Sequence, residues 1–254
     1  MIKPKNGEKS LEDLAKKIRQ NILKASFEAV AGHIGSSLSC VEILVSLYFK
    51  ILKRGDVFLF SKASGACALY AVLAEKGIIN PKKVSNYLKR YPLASKEIPG
   101  VIWSGGSLGH GFPVAVGLAF ADKKRKVFCL VSDGELDEGT TWESALFANH
   151  QNLNNLTVII DRNMLQACGS TEKIVKLEPL KEKWEAFGWE AKEINGHSFS
   201  KLEQALNAKH KKPLVIIAKT IKGKGVSFME NNYEWHYKNL TPELYETAIL
   251  QVSK

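Results

Sequence analysis

Val127-Phe128-Cys129-Leu130-Val131-Ser132-Asp133-Gly134 is the segment from which the fold is read. A short apolar run, too short for a buried helix, gives a strand covered on both faces, and it stops at an acid-glycine pair. Apolar runs recur at 156–160, more weakly at 190–194, and at 214–218, with helical stretches around 141–152, 180–187 and 199–208 between them. Short strands separated by helices mark a parallel sheet with crossovers. The expected fold is therefore α/β, a doubly wound, mostly parallel sheet flanked by helices. Upstream, Ser10-Leu11-Glu12-Asp13 resembles a capping box ahead of helically spaced Leu11, Leu14, Ile18 and Ile22, so a helix should reach about Ala31. A loop is expected at 32–37, then a helix from Ser39 with Glu42 three residues on, an apolar run at 57–60, a helix at 66–76 and a Pro81-led helix to about Arg90. Residues 241–254 read as an appended helix. No repeat or linker divides the chain, so 1–254 is expected to be one domain, with its last helix near 241–252.

The 254 residues include 36 Lys+Arg against 26 Asp+Glu, a formal charge of +10, with 45% hydrophobic, 24% charged and 9% aromatic residues. Such averages exclude collagen, coiled coil and a disordered chain. The excess lysines sit at expected helix ends and turns, as in Lys82-Lys83 and Lys123-Lys124-Arg125-Lys126, rather than along one face interleaved with aromatics. That pattern argues against nucleic acid and suits solvation or a small phosphate-bearing ligand. Residues 1–20 hold no apolar run, and no stretch approaches the roughly 20 apolar residues of a membrane span, so a soluble, cytoplasmic protein is expected. Cys40, Cys67, Cys129 and Cys168 form no CxxC pair and read as small buried apolar residues.

Ligands of open parallel sheets sit at the carboxyl ends of the strands. Asp133 stands at such an end and Asp161-Arg162-Asn163 at the next. Asp133-Gly134 alone also fits a plain turn, but Asp133 and Asn163 together offer two oxygen donors to one crevice. A hard cation such as Mg2+ binds a few such oxygens together with phosphate and water. The glycine-rich segment 104–111, ahead of an apolar helix at 114–121, would let backbone amides approach a cofactor. It is no dinucleotide fingerprint, since position 114 is Val114, and Gly223-Lys224 is no Walker loop, since Lys224 is followed by Gly225.

Asn163 follows Asp133 by thirty positions, with Glu138-Gly139 and Asn154-Asn155 between. The spacing resembles the thiamine diphosphate motif. With Gly32-His33-Ile34-Gly35, Gly106-Ser107-Leu108-Gly109, and Lys219-Thr220-Ile221-Lys222-Gly223-Lys224-Gly225 leading to Glu234-Trp235-His236, the chain from about Leu11 to Ile249 resembles the amino-terminal, diphosphate-binding subunit of a split transketolase. The resemblance implies thiamine diphosphate and Mg2+ as cofactors, with Asp133, Asn163 and the Leu165 carbonyl as metal ligands. It places Gly134 against the diphosphate, Gly106 and Leu108 against the aminopyrimidine, and His33 and His236 in the active site. Glu138 and Glu143 match acids that link two cofactor sites across a dimer; taken alone they read rather as dipole-favoured surface acids of a helix start. His150, His197 and His210 match nothing and read as solvated or core histidines.

In that family the glutamate that activates the aminopyrimidine belongs to another domain, on the neighbouring subunit, and nothing after Lys219 supplies such a domain. The resemblance therefore implies an α2β2 assembly with a separate C-terminal, pyrimidine-binding subunit, transferring a two-carbon ketol unit between sugar phosphates. Two other readings stand beside it: the same cofactor with a different donor, a 2-oxo acid or a modified sugar, and a non-catalytic scaffold. The second is disfavoured by the paired oxygen donors. The first draws on two departures from the family. Ser61-Lys62-Ala63-Ser64 stands where the family reads Ser-Lys-Gly-His, and the 91–100 segment lacks the family's Gly-His-Pro. Lost imidazoles would redirect donor choice.

Overall fold

The computed structural model describes residues 10–253; much of the amino-terminal stretch in which no apolar run is read lies outside them. Five strands, β1 (Val57–Phe60), β2 (Val127–Ser132), β3 (Leu156–Arg162), β4 (Glu190–Asn195) and β5 (Leu214–Lys219), form one parallel sheet in the order β1-β2-β3-β5-β4. The expected fold class is observed. Alternate strand residues serve opposite faces, as a period of two requires. Phe128, Leu130, Ile159, Leu214 and Ile216 enter one core, and Val127, Cys129, Val131, Val158, Ile160, Val215 and Ile217 the other. The charged β4, whose residues are half-buried or exposed, is an edge strand, which is why its run reads weakly in the sequence.

Helices α1 (Leu11–Ala29), α2 (Ile34–Ser39), α3 (Val41–Ser46), α4 (Ala66–Glu75), α5 (Val84–Arg90), α10 (Phe199–Leu206) and α11 (Pro242–Ser253) pack on the first core; α6 (Gly111–Ala121), α7 (Gly139–His150) and α9 (Leu180–Ala186) cover the second, and α8 (Thr171–Ile174) is a single turn. Ser10 caps α1 by accepting from the Asp13 amide at 3.0 Å. The helix stops at Ala29, two residues short of expectation, because Val30 turns left-handed (φ 51°) and the Ala31 amide reaches back to the Ser26 carbonyl. The expected loop at 32–37 is instead mostly helix α2, entered through His33 at φ 64°. Six residues rich in Gly and Ser have little helical propensity, but all of α2 is buried and tertiary packing overrides propensity. A break at Cys40 separates it from α3, which continues into a π-helical turn, Leu47–Ile51. Among the described residues no helix is long and apolar enough to cross a membrane.

Candidate active site

The carboxyl edge of the sheet gathers the chemistry. Lys62 follows β1, Asp133 follows β2, Asn163 follows β3 and Lys222 follows β5. Ser132, the last residue of β2, pairs with Asp161, one residue before β3 ends, so Asp133 and Asn163 leave the sheet edge within about one residue of each other and line a common space. That space is a cavity of about 230 Å3 lined by these four residues and by His33, Ser36, Gly106, Leu108, Gly134, Leu165, Gln166 and His236. Larger clefts exist, but one of about 930 Å3 between α9, β4 and α10 takes half its lining from lysines and glutamates. Convergent buried polar groups, rather than size, mark a binding site.

Lys62 and Asp161 form a fully buried ion pair. The Lys62 ammonium also donates to the Ser36 carbonyl and Ser39 hydroxyl, each at 2.9 Å, while Asp161 accepts from Ser39 at 2.6 Å and from Thr220. Burial opposes both charges, but each holds the other ionised: the Asp161 carboxyl stays below its ordinary range and the Lys62 ammonium above its own. Asp133 is also buried. Its Oδ1 accepts from the Gly134 amide at 3.0 Å and its Oδ2 from the Met164 amide at 2.7 Å, with Arg162 at 3.5 Å. Burial and the neighbouring Asp161 push its carboxyl up to about 6, against the pull of Arg162, Lys62 and Lys222. Arg162 is itself engaged by Glu172 and Glu178 at 2.7 and 2.8 Å.

The two histidines meet at one side of the cavity. The His33 amide donates to the His236 carbonyl at 2.7 Å, and their rings stand edge to face with centroids 5.0 Å apart. Lys222 Nζ lies 2.9 Å from Nδ1 of His236, an arrangement in which the ammonium donates to an unprotonated nitrogen. Burial and Lys222 lower His33 to about 4; burial, Lys222, His33 and Lys62 lower His236 to about 3. Burial and the neighbouring Lys62 bring Lys222 down to about 8, with Asp133 and Asp161 opposing.

Of the residues expected from the sequence, His33, His236, Gly106, Leu108, Asp133, Gly134, Asn163 and Leu165 all line this one cavity. Glu138 and Glu143 do not; both are exposed, Glu138 at the start of α7 and Glu143 within it. Asn155 lies at the opposite end of β3, where its amide ties the 119–125 turn by donating to three carbonyls. Lys62, Ser36, Gln166 and Lys222 were missed, although Lys62 and Lys222 lie inside segments quoted for their neighbours. A lysine in a basic chain reads as surface, and only the sheet edge reveals its burial. Ser64, which stands where the resemblance has a histidine, lines the cavity, and so does Leu93 from the 91–100 segment that lacks the family's Gly-His-Pro.

The donor set discriminates between metals. Among the described residues no group of three or more His, Cys, Asp or Glu can hold an ion, which does not suit zinc. One carboxylate, one amide oxygen and nearby carbonyls do suit a hard cation that keeps water and phosphate oxygens as its other ligands. A cation at Asp133 would also reverse the upward push that burial exerts on its carboxyl.

Residues 10–248 match the family model for the transketolase thiamine diphosphate-binding domain. One subunit of the apulose-4-phosphate transketolase of Actinobacillus succinogenes is 43% identical, over 90% of this chain and 90% of its own length. The corresponding subunit of Phocaeicola vulgatus is 38% identical over 96% and 94%. A 6-deoxy-6-sulfo-D-fructose transketolase subunit of Clostridium sp. is 38% identical over 96% of each chain. Among solved structures, the transketolase of Campylobacter jejuni superposes with a TM-score of 0.86 at 28% identity; the match spans 96% of this chain and 42% of that one.

Proposed function

We propose that this chain, which belongs to the transketolase family through its thiamine diphosphate-binding domain, is the diphosphate-side subunit of a split, Mg2+-requiring ketol transferase. The observation that carries the reading is the convergence of Asp133, Gly134, Asn163 and Leu165 with two buried lysines on one cavity. Thiamine diphosphate, when bound, supplies the carbon nucleophile and electron sink of the transfer.

The residues of this chain would divide the remaining work. Asp133, Asn163 and the Leu165 carbonyl would hold Mg2+, and the backbone of Gly134 leaves room for the diphosphate. The ammoniums of Lys62 and Lys222 favour an anion there, and Gly106 and Leu108 would meet the aminopyrimidine. His33 and His236, neutral near pH 7, are suited to exchange hydrogen bonds with a substrate hydroxyl. Glu138, exposed at the start of α7, and Glu143, exposed one turn before exposed Leu146 and Phe147, would act across an interface. That the full-length relatives are themselves named as subunits supports a second polypeptide; we take it to be C-terminal and pyrimidine-binding, in an α2β2 cytoplasmic enzyme.

Ser64 and Leu93 bear on the donor. A serine hydroxyl hydrogen-bonds but does not carry a proton near neutral pH, and leucine does neither. The proposed donor is therefore a modified sugar rather than an ordinary ketose phosphate, a reading supported by relatives named for apulose 4-phosphate and for 6-deoxy-6-sulfo-D-fructose. The test is ketol transfer by the complex of this chain with its second subunit. Transfer is expected only with thiamine diphosphate and Mg2+ present, faster from 6-deoxy-6-sulfofructose than from xylulose 5-phosphate or pyruvate. Robust transfer by this chain alone would refute the split enzyme, and a clear preference for xylulose 5-phosphate would refute the donor assignment.

A further inference from the structure

His197 has no role in the sequence reading, yet the fold seats its ring between α3 and the loop that follows β5. Nδ1 lies 2.9 Å from Oε2 of Glu42 on α3, and Nε2 accepts at 2.9 Å from the Ile221 amide. A backbone N–H only donates, so Nε2 carries no proton, and the ring is the neutral tautomer whose Nδ1–H donates to Glu42. Glu42 is buried and gripped at 2.7 Å by Arg19, whose Nε donates to the Lys224 carbonyl at 3.1 Å. The loop at 220–225 is thus tied on both sides of Lys222, at Ile221 through His197 and at Lys224 through Arg19. Arg19, Glu42 and His197 line a separate cleft of about 780 Å3, away from the cofactor cavity. Of residues 220–225, Lys222 is the one that lines the cofactor cavity, buried and 2.9 Å from His236. A lysine stem has four rotatable bonds, so the place of its ammonium depends on how firmly the backbone beneath it is held.

We infer that His197, oriented by Glu42, is a positioning residue that fixes Lys222 in the site; the inference rests on the cofactor reading above. His197→Ala removes the acceptor from the Ile221 amide, whereas His197→Gln offers an amide oxygen in its place. Two measurements decide. In nitrogen-15 histidine spectra of the full chain, the His236 Nδ1 resonance reports the hydrogen bond from Lys222. It is expected to move in His197→Ala and to return toward wild type in His197→Gln. An unmoved resonance in His197→Ala overturns the inference whether or not a cofactor binds. In titrations of thiamine diphosphate with Mg2+ into the assembled enzyme, His197→Ala should weaken binding about tenfold. That loss should vanish when Lys222→Ala is already present, since the two changes then remove one and the same effect. An equal loss in both backgrounds overturns the inference. Failure of the wild-type enzyme to bind thiamine diphosphate refutes the cofactor reading, and the spectra still decide the positioning. Should His197→Ala not fold, His197→Asn takes its place with the same outcomes, because its amide reaches Glu42 but falls short of Ile221.

Discussion

Lys62 gives up its hydration on folding and meets the Asp161 carboxylate, the Ser36 carbonyl and the Ser39 hydroxyl in return. Removing one partner of such a pair leaves an uncompensated buried charge, which costs roughly 3–5 kcal/mol. Asp161→Ala is accordingly expected to lower unfolding stability by about that much in a urea titration; a loss below about 1 kcal/mol would mean that Lys62 finds water in the folded state. His33 and His236 titrate at about 4 and about 3 when folded, against 6.5 for an ordinary histidine. Above pH 6.5 neither folded nor unfolded chain binds these protons, so their contribution is neutral there. As pH falls from 6.5 toward 4, only the unfolded chain takes them up, and stability declines. Proton NMR should find both rings neutral at pH 6; a midpoint near 6.5 for either would contradict their burial beside Lys222. At this scale the sequence exposed the acids and histidines through spacing and resemblance. It hid the lysines, because burial of a cation is decided by neighbours distant in the chain, Asp161 for Lys62 and His236 for Lys222.

The loop after β5 shows how an element carries a side chain into the site. Gly223 has φ +81°, and a Cβ there would lie 2.3 Å from the Met229 carbonyl oxygen. Its amide donates to the Gly35 carbonyl at 3.0 Å, which fastens the loop to the start of α2. Gly223→Ala therefore adds left-handed strain to a backbone clash, together on the order of 2–4 kcal/mol. The variant should unfold earlier in denaturant and bind thiamine diphosphate more weakly, since Lys222 moves with the loop; unchanged values for both would contradict the packing. Elements with strong patterns were legible: the apolar runs became β1, β2, β3 and β5, and even the weak run became β4. Helix α2 was not, because six Gly- and Ser-rich residues hold a helix only when the core closes over them. The end of α1 was misjudged by two residues because Val30, a β-branched residue, gives no sequence sign of a left-handed cap.

At the scale of the molecule, a parallel sheet brings every strand's carboxyl end to one edge, so residues 62, 133, 163 and 222 converge without being near in sequence. That topology followed from alternating strands and helices, which is why the site was legible in outline before its contacts were. The opposite limit is α7, where exposed Leu146 and Phe147 follow Glu143 by one helical turn and Glu138 stands at the helix start, so the proposed roles of the two acids depend on a partner across an interface. The chain without its second subunit is expected to show no ketol transfer, and full activity should return on reconstitution in a coupled assay. Everything proposed rests on Asp133 and Asn163 holding Mg2+ against a diphosphate. Calorimetric titration of thiamine diphosphate with Mg2+ into the assembled enzyme, wild type against Asp133→Ala, tests that most directly. Loss of the one carboxylate among the proposed ligands should weaken binding by at least about 100-fold, more than the loss of an outer partner would; equal affinity in the two proteins would contradict the metal site and the function built on it.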